Sequence, residues 1–96
     1  MNRFLIEVPH EEEGLACAQA VKILLETGSH FLSHADWGCL DGVHKGWVTV
    51  EAETKEQARQ MLPSAYRHRA VIVKLNKFTL EEIDNIIEHH KSKLAK

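Results

Sequence analysis

Between Ser33 and Gly42 the chain reads SHADWGCLDG, which gathers a histidine, two aspartates, a tryptophan and a cysteine into one short stretch. His34 and Asp36 are two residues apart, and on an extended strand that spacing puts both on one face. A carboxylate there steadies the charge and tautomer of an imidazole acting as general base. Along the strand the two lie roughly 7 Å apart, so a direct hydrogen bond requires side-chain bending. Polar residues on the solvated side of a sheet produce the same pattern with no chemistry attached. Imidazole and carboxylate also suit a borderline divalent ion, for which His30, His34, Asp36 and Glu7 are the candidates. No spacing among them matches a zinc or iron motif, and HEEEG at His10 to Gly14 lacks the second histidine of a HExxH helix.

Cys39 is a candidate nucleophile, with His44 as a cross-strand partner that would favour its thiolate. Its plainer role is that of a small apolar residue beside a turn, and Cys17 reads as core within the first helix. Two cysteines without CxxC spacing indicate neither a zinc ribbon nor a thioredoxin-like site, and their default state is the free thiol. YRHR, from Tyr66 to Arg69, has the charge to grip an anion and equally reads as a solvated loop. There is no GxGxxG, Walker loop or GxSxG elbow, so dinucleotide, nucleotide and serine-hydrolase chemistry find no support.

The elements that must position these residues follow from periodicity. Arg3 to Val8 alternate, with Phe4, Ile6 and Val8 on one side and Arg3, Leu5 and Glu7 on the other, before Pro9 interrupts pairing. HEEEGLACAQAVKILLETG has a helical period that sets Leu15, Ala18, Val21 or Lys22, and Leu25 on one stripe, with Gly28 closing the end. From His30 to Cys39 the period becomes two, and HKGWVTVEA continues it after the Asp41-Gly42 turn signal. A two-residue turn there pairs Leu40 with Val43, Trp37 with Gly46, Asp36 with Trp47 and His34 with Thr49. Trp37 over Gly46 is the volume match of a packed face, so the other face carries Asp36, His34, Trp47, Thr49 and Glu7, with Ile72 and Lys74 from the last strand. Thr54 with Gln57 opens a short helix ended by Pro63; RAVIVKLN is a fourth strand. Thr79 with Glu82 opens a last helix striped by Leu80, Ile83, Ile86, Ile87 and Leu94.

This order predicts an α+β fold, ferredoxin-like βαββαβ with a four-stranded antiparallel sheet and an additional C-terminal helix, as one domain over residues 1–96. The 96 residues are 44% apolar with a formal net charge of −2, a balance that offers nothing to nucleic acid. The longest apolar run is too short for a membrane span and the start lacks the features of a signal peptide, so the expected location is the cytoplasm.

In length and element order the whole chain resembles the small dimeric α/β-barrel proteins of ferredoxin-like fold, the group that includes muconolactone isomerases, YCII-related proteins and antibiotic-biosynthesis monooxygenases. The resemblance implies two open sheet faces paired in a homodimer and a small organic ligand held between sheet and helices, often without a cofactor. YCII-related proteins also imply a His-Asp pair with the histidine on the first helix, a place where this chain has only His10, at the helix edge. The resulting expectation is a homodimer, needing no cofactor, that binds a small molecule through Glu7, Trp47 and Thr49, with His34 and Asp36 as the catalytic pair and an isomerase-like reaction. The alternatives are a divalent-metal-binding protein and a non-catalytic interaction module.

Overall fold

The computed structural model describes residues 1–94, with side chains through Ser92. In chain order the elements are β1 (Asn2–Pro9), α1 (Gly14–Thr27), β2 (Asp36–Trp37), β3 (Lys45–Ala52), α2 (Lys55–Arg59), α3 (Ser64–Arg67), β4 (Val71–Leu75) and α4 (Leu80–Leu94), with 3-10 turns at His30–His34 and Cys39–Asp41. The four strands form one antiparallel sheet in the order β2-β3-β1-β4, so β1 and β3 are central. This is the α+β, ferredoxin-like arrangement that the alternation predicts.

Phe4, Ile6 and Val8 alternate into the core, as do Val48, Val50 and Ala52 of β3, and they meet Ala20 and Leu24 of α1, Ala58 of α2 and Tyr66 of α3. Trp37 packs against this core from β2 and lies over Gly46, where a Cβ would come within 2.6 Å of its ring. Glycine is required there by the tryptophan rather than by backbone conformation. The expected pairs Asp36 with Trp47 and Trp37 with Gly46 are both formed.

Several local expectations are corrected. His30 to His34 is a 3-10 turn, not strand, because Ser29 accepts from the Phe31 amide and the Ser33 hydroxyl donates to the His30 carbonyl, bonds that compete with edge pairing. The Asp41-Gly42 turn is wider than two residues: Gly38 carbonyl accepts from the amides of both Asp41 and Val43, and Gly42 takes the left-handed φ of 79° as the turn's cap. Leu40 therefore does not pair with Val43 and stands fully exposed. On α1 the buried stripe is Cys17, Ala20 and Leu24, whereas Leu15 and Leu25 face solvent, because the helix is rotated from the expected setting.

Ile72 is opposite Ile6 and buried, so the outward residues of β4 are Val71 and Val73, opposite Glu7 and Leu5. Lys74 is opposite Phe4 and hence also belongs to the helix-side row. The short helix expected before Pro63 is followed by a second, α3, which buries Tyr66 of YRHR and leaves His68 and Arg69 exposed. Tyr66 is buried, the Arg67 Nε donates to the Leu62 carbonyl at 2.9 Å, and Arg69 pairs with Glu11 at 2.9 Å. Both guanidinium groups thus have partners within the protein, Arg67 on backbone carbonyls and Arg69 on the Glu11 carboxylate. The Thr79–Glu82 capping box is formed, but Leu80, Ile86 and Ile87 are exposed; the Leu94 end of that stripe lies outside the described side chains. Among the described residues no helix is long and apolar enough to cross a membrane.

Candidate metal centre

At the end of the sheet where β1 finishes, the ladder runs one step further than its strands. After Pro9 opposite Lys45, the His10 amide donates to the His44 carbonyl at 3.1 Å. His10 and His44 thus continue the helix-side rows of Val8 and Gly46 and meet beneath α1. The ring of His10 is buried; its Nδ1 lies 3.5 Å from the Val8 carbonyl, which favours the proton on that nitrogen and leaves the Nε2 lone pair free.

Two sulfurs face that lone pair, Cys17 Sγ at 3.2 Å and Cys39 Sγ at 3.1 Å, and His44 Nδ1 approaches Cys17 Sγ at 3.2 Å. Cys17 is placed by the start of α1, where the Glu13 carboxylate caps the amides of Leu15 and Ala16 and the Glu13 carbonyl accepts from Cys17. Cys39 is placed by the turn that Gly38 and Gly42 fold. Trp37 closes the side, its ring edge-on to His10 with centroids 5.7 Å apart.

The ligating atoms of His10, Cys17, Cys39 and His44 all lie within 4.8 Å of one another. In a tetrahedron with metal–sulfur bonds of ~2.3 Å and metal–nitrogen bonds of ~2.0 Å, such atoms lie about 3.3–3.8 Å apart, so a mononuclear centre fits with small adjustments. Both cysteines are free. Burial, and next the neighbouring Cys39 sulfur, push the Cys17 thiol above its usual range, so an incoming cation must displace a proton. One side of the cluster opens on a cleft of about 470 Å³, mostly apolar and lined by Gly14, Ala18, Val21, Trp37 and Leu40 besides Cys17, Cys39 and His44.

Of the residues singled out from sequence, Cys39 and His44 belong to this cluster, whereas Glu7, His34, Asp36, Trp47 and Thr49 lie on the opposite side of the sheet. His34, Asp36, Trp47 and Thr49 line one cleft of about 300 Å³ together with Leu5 and Val48. Glu7 stands beside it and accepts from the Trp47 indole nitrogen at 3.0 Å, with the Lys45 ammonium 3.7 Å away. His30, His34, Asp36 and Glu7 do not come together as a ligand set; among the described residues the one convergent group is the His10, Cys17, Cys39 and His44 cluster. His30 instead stacks on Phe31.

The expected cross-strand pair of Cys39 with His44 is not formed: Cys39 lies on the 3-10 turn with its sulfur toward His10, His44 faces Cys17, and His10 and Cys17 are absent from the expected site. The signal was available in the strand pairing: continued past Pro9, it brings His10 beside His44, and the first turn of the next helix lies above both. Neither a family model, nor a curated protein, nor a solved structure matches the chain.

Proposed function

We propose that this protein binds a borderline divalent transition-metal ion, zinc in its chemistry, through His10, Cys17, Cys39 and His44. The convergence of two imidazole nitrogens and two sulfurs within 4.8 Å carries the reading. Two thiolates and two neutral imidazoles around a divalent cation make a complex of zero net charge, which suits a site half enclosed by Trp37 and α1. The soft sulfurs disfavour magnesium and calcium, and the short span between ligands fits one ion rather than an iron–sulfur cluster. Loading replaces two thiol protons by two metal–sulfur bonds and releases the protons to solvent.

None of the four ligands belongs to the cluster of Phe4, Ile6, Leu24, Leu32 and Leu62, so the fold is expected to stand without the ion. Metal analysis of the purified protein, followed by cobalt(II) substitution, tests the proposal. One equivalent of metal and the visible bands of tetrahedral thiolate-bound cobalt, lost in Cys17→Ala and in His44→Ala, are expected. A wild-type protein that takes up no stoichiometric metal, or cobalt that stays octahedral in colour, overturns it.

A second reading rests on the cleft shared by His34, Asp36, Trp47 and Thr49. We infer that this face binds a small organic molecule, with His34 and Asp36 available for cofactor-independent proton transfer of the isomerase kind in a cytoplasmic homodimer. Its support is that four of the five residues line one cavity and that Glu7, the fifth, orients Trp47. A thermal-shift ligand screen checks it: a hit retained by both His34→Ala and Asp36→Ala removes these residues from the site.

A further inference from the structure

The molecule measures 55 × 29 × 21 Å, with a radius of gyration of 17.5 Å. A compact chain of this length has about 12.5 Å, and α4 accounts for the excess by extending from the body. Through Ser92 it has no buried residue, yet Leu80, Ile83, Ile86 and Ile87 line it at helical spacing, with Leu80 76% exposed. A helix of 15 residues on its own in water is marginal, so this stripe needs a surface to lie on.

The same chain has a matching surface. The sheet face away from α1 presents Leu5, Trp47, Val71 and Val73, the two valines 49% and 43% exposed. On that face Arg3 lies between Glu51 and Leu75, and its buried Nε has no acceptor among the described residues. The N-terminal half of α4 carries Glu81, Glu82 and Asp84 around its apolar stripe. The face also carries Glu7 and Glu51, so what matches between sheet and helix is their apolar rows rather than charge.

We propose that α4 of a second copy of this chain lies across the open sheet face, and that the exchange is reciprocal. The helix is about 22 Å long and β1 about 26 Å, so one spans the other. Two helices laid on two faces bury on the order of 1,500 Å² in total, the size of a stable interface. Only residues 76–79 join β4 to α4, and the Thr79–Glu82 box closes the helix start, so the helix is delivered away from its own sheet and toward a neighbour. The interface is isologous and closes at two copies. It also puts the partner's helix over the cleft of His34 and Asp36, and it stands whether or not the metal centre is filled.

Sedimentation of the full chain and of Val73→Glu and Ile87→Glu tests the proposal, with circular dichroism to establish that each variant is folded and Val71→Glu in reserve should Val73→Glu unfold. Wild type is expected at twice the monomer mass, and each variant at the monomer mass. Mixing the two variants restores one of the two helix-on-sheet contacts, because the Ile87→Glu copy keeps an intact sheet face and the Val73→Glu copy an intact helix, so the mixture is expected to associate more strongly than either variant alone. A monomeric wild type at high concentration overturns the proposal. So does an Ile87→Glu protein that stays dimeric, the outcome of sheets pairing face to face, and so does a mixture that associates no more strongly than either variant alone across the concentration range.

Discussion

Cys39→Ala separates the two properties assigned to the metal centre, namely that it binds an ion tightly and that the fold does not depend on it. In the metal-free chain Cys39 is half-buried; its sulfur lies beside the Cys17 thiol and makes its hydrogen bond to a nitrogen with His10 Nε2 at 3.1 Å. Losing that contact costs about 1 kcal/mol or less, since a net intramolecular hydrogen bond contributes roughly that much. For a domain of this size the midpoint of thermal unfolding then falls by about 4–8 °C at most. Zinc acts by mass action. At a free concentration about a thousandfold above its Kd, it stabilises the wild type by about 4 kcal/mol, which raises the midpoint by roughly 15–30 °C. Calorimetric or dichroism melts of both proteins, with chelator and with buffered zinc, provide the four required values. The expected pattern is a folded wild type in chelator, a large upward shift with zinc, and a variant that melts close to the metal-free wild type and loses most of that shift. Equal zinc shifts in the two proteins refute the ligand assignment. A wild type already unfolded in chelator refutes the argument that the core of Phe4, Ile6, Leu24 and Leu62 stands by itself.

Zinc affinity should weaken as pH falls, because burial holds the Cys17 thiol above its usual range and each thiolate formed must release a proton; competition with a chromophoric chelator should show a loss of up to about a hundredfold per pH unit. Trp37→Ala should cost about 3 kcal/mol in denaturant melts, whereas His34→Ala and Asp36→Ala should each cost less than about 1 kcal/mol, since they are exposed. Gly46→Ala should destabilise by about 1–3 kcal/mol, because its new methyl group meets the Trp37 ring at 2.6 Å; a neutral result in the same melts would show that the tryptophan is free to move. The Arg69 hydrogen bond holds the Glu11 carboxyl below its usual range, so its small contribution is present above the unfolded pKa and disappears as pH falls through the lowered one. Acid titration of Glu11→Gln should show that loss absent, by less than about 1 kcal/mol because the pair is solvent-exposed.

Much of the scaffold was legible in local patterns. Alternation at Phe4, Ile6 and Val8, the Thr54 and Thr79 caps, and the match of Trp37 to Gly46 each depend on residues near in sequence or on a period, and they led to the sheet, its central strands and two of its cross-strand pairs. Where expectation failed, the deciding contact was distant or the local signal was shared by two structures. The rotation of α1 was set by which of its sides met β1 and β3, and leucines at both Leu15 and Leu24 made either setting plausible from the pattern. The face of β4 depended on a register with β1 that no turn specifies, so Ile72 and Val73 exchanged places relative to expectation. The 3-10 turn at His30–His34 replaced strand because side-chain hydrogen bonds outcompeted pairing at a sheet edge.

The candidate centre shows the same division. The residue types were visible in the sequence, since two histidines and two cysteines are ordinary ligands for zinc. Their spacing, six residues between His10 and Cys17 and four between Cys39 and His44, matched no local motif, because no single turn or helix brings them together. The sequence determined by itself an alternating four-stranded α+β domain with free thiols and an apolar stripe on its last helix. Only the tertiary structure decided that the end of β1, the first turn of α1 and the loop before β3 converge, because that convergence is produced by β1–β3 pairing and helix packing, which bring together residues distant in sequence, such as His10 and His44, 34 apart.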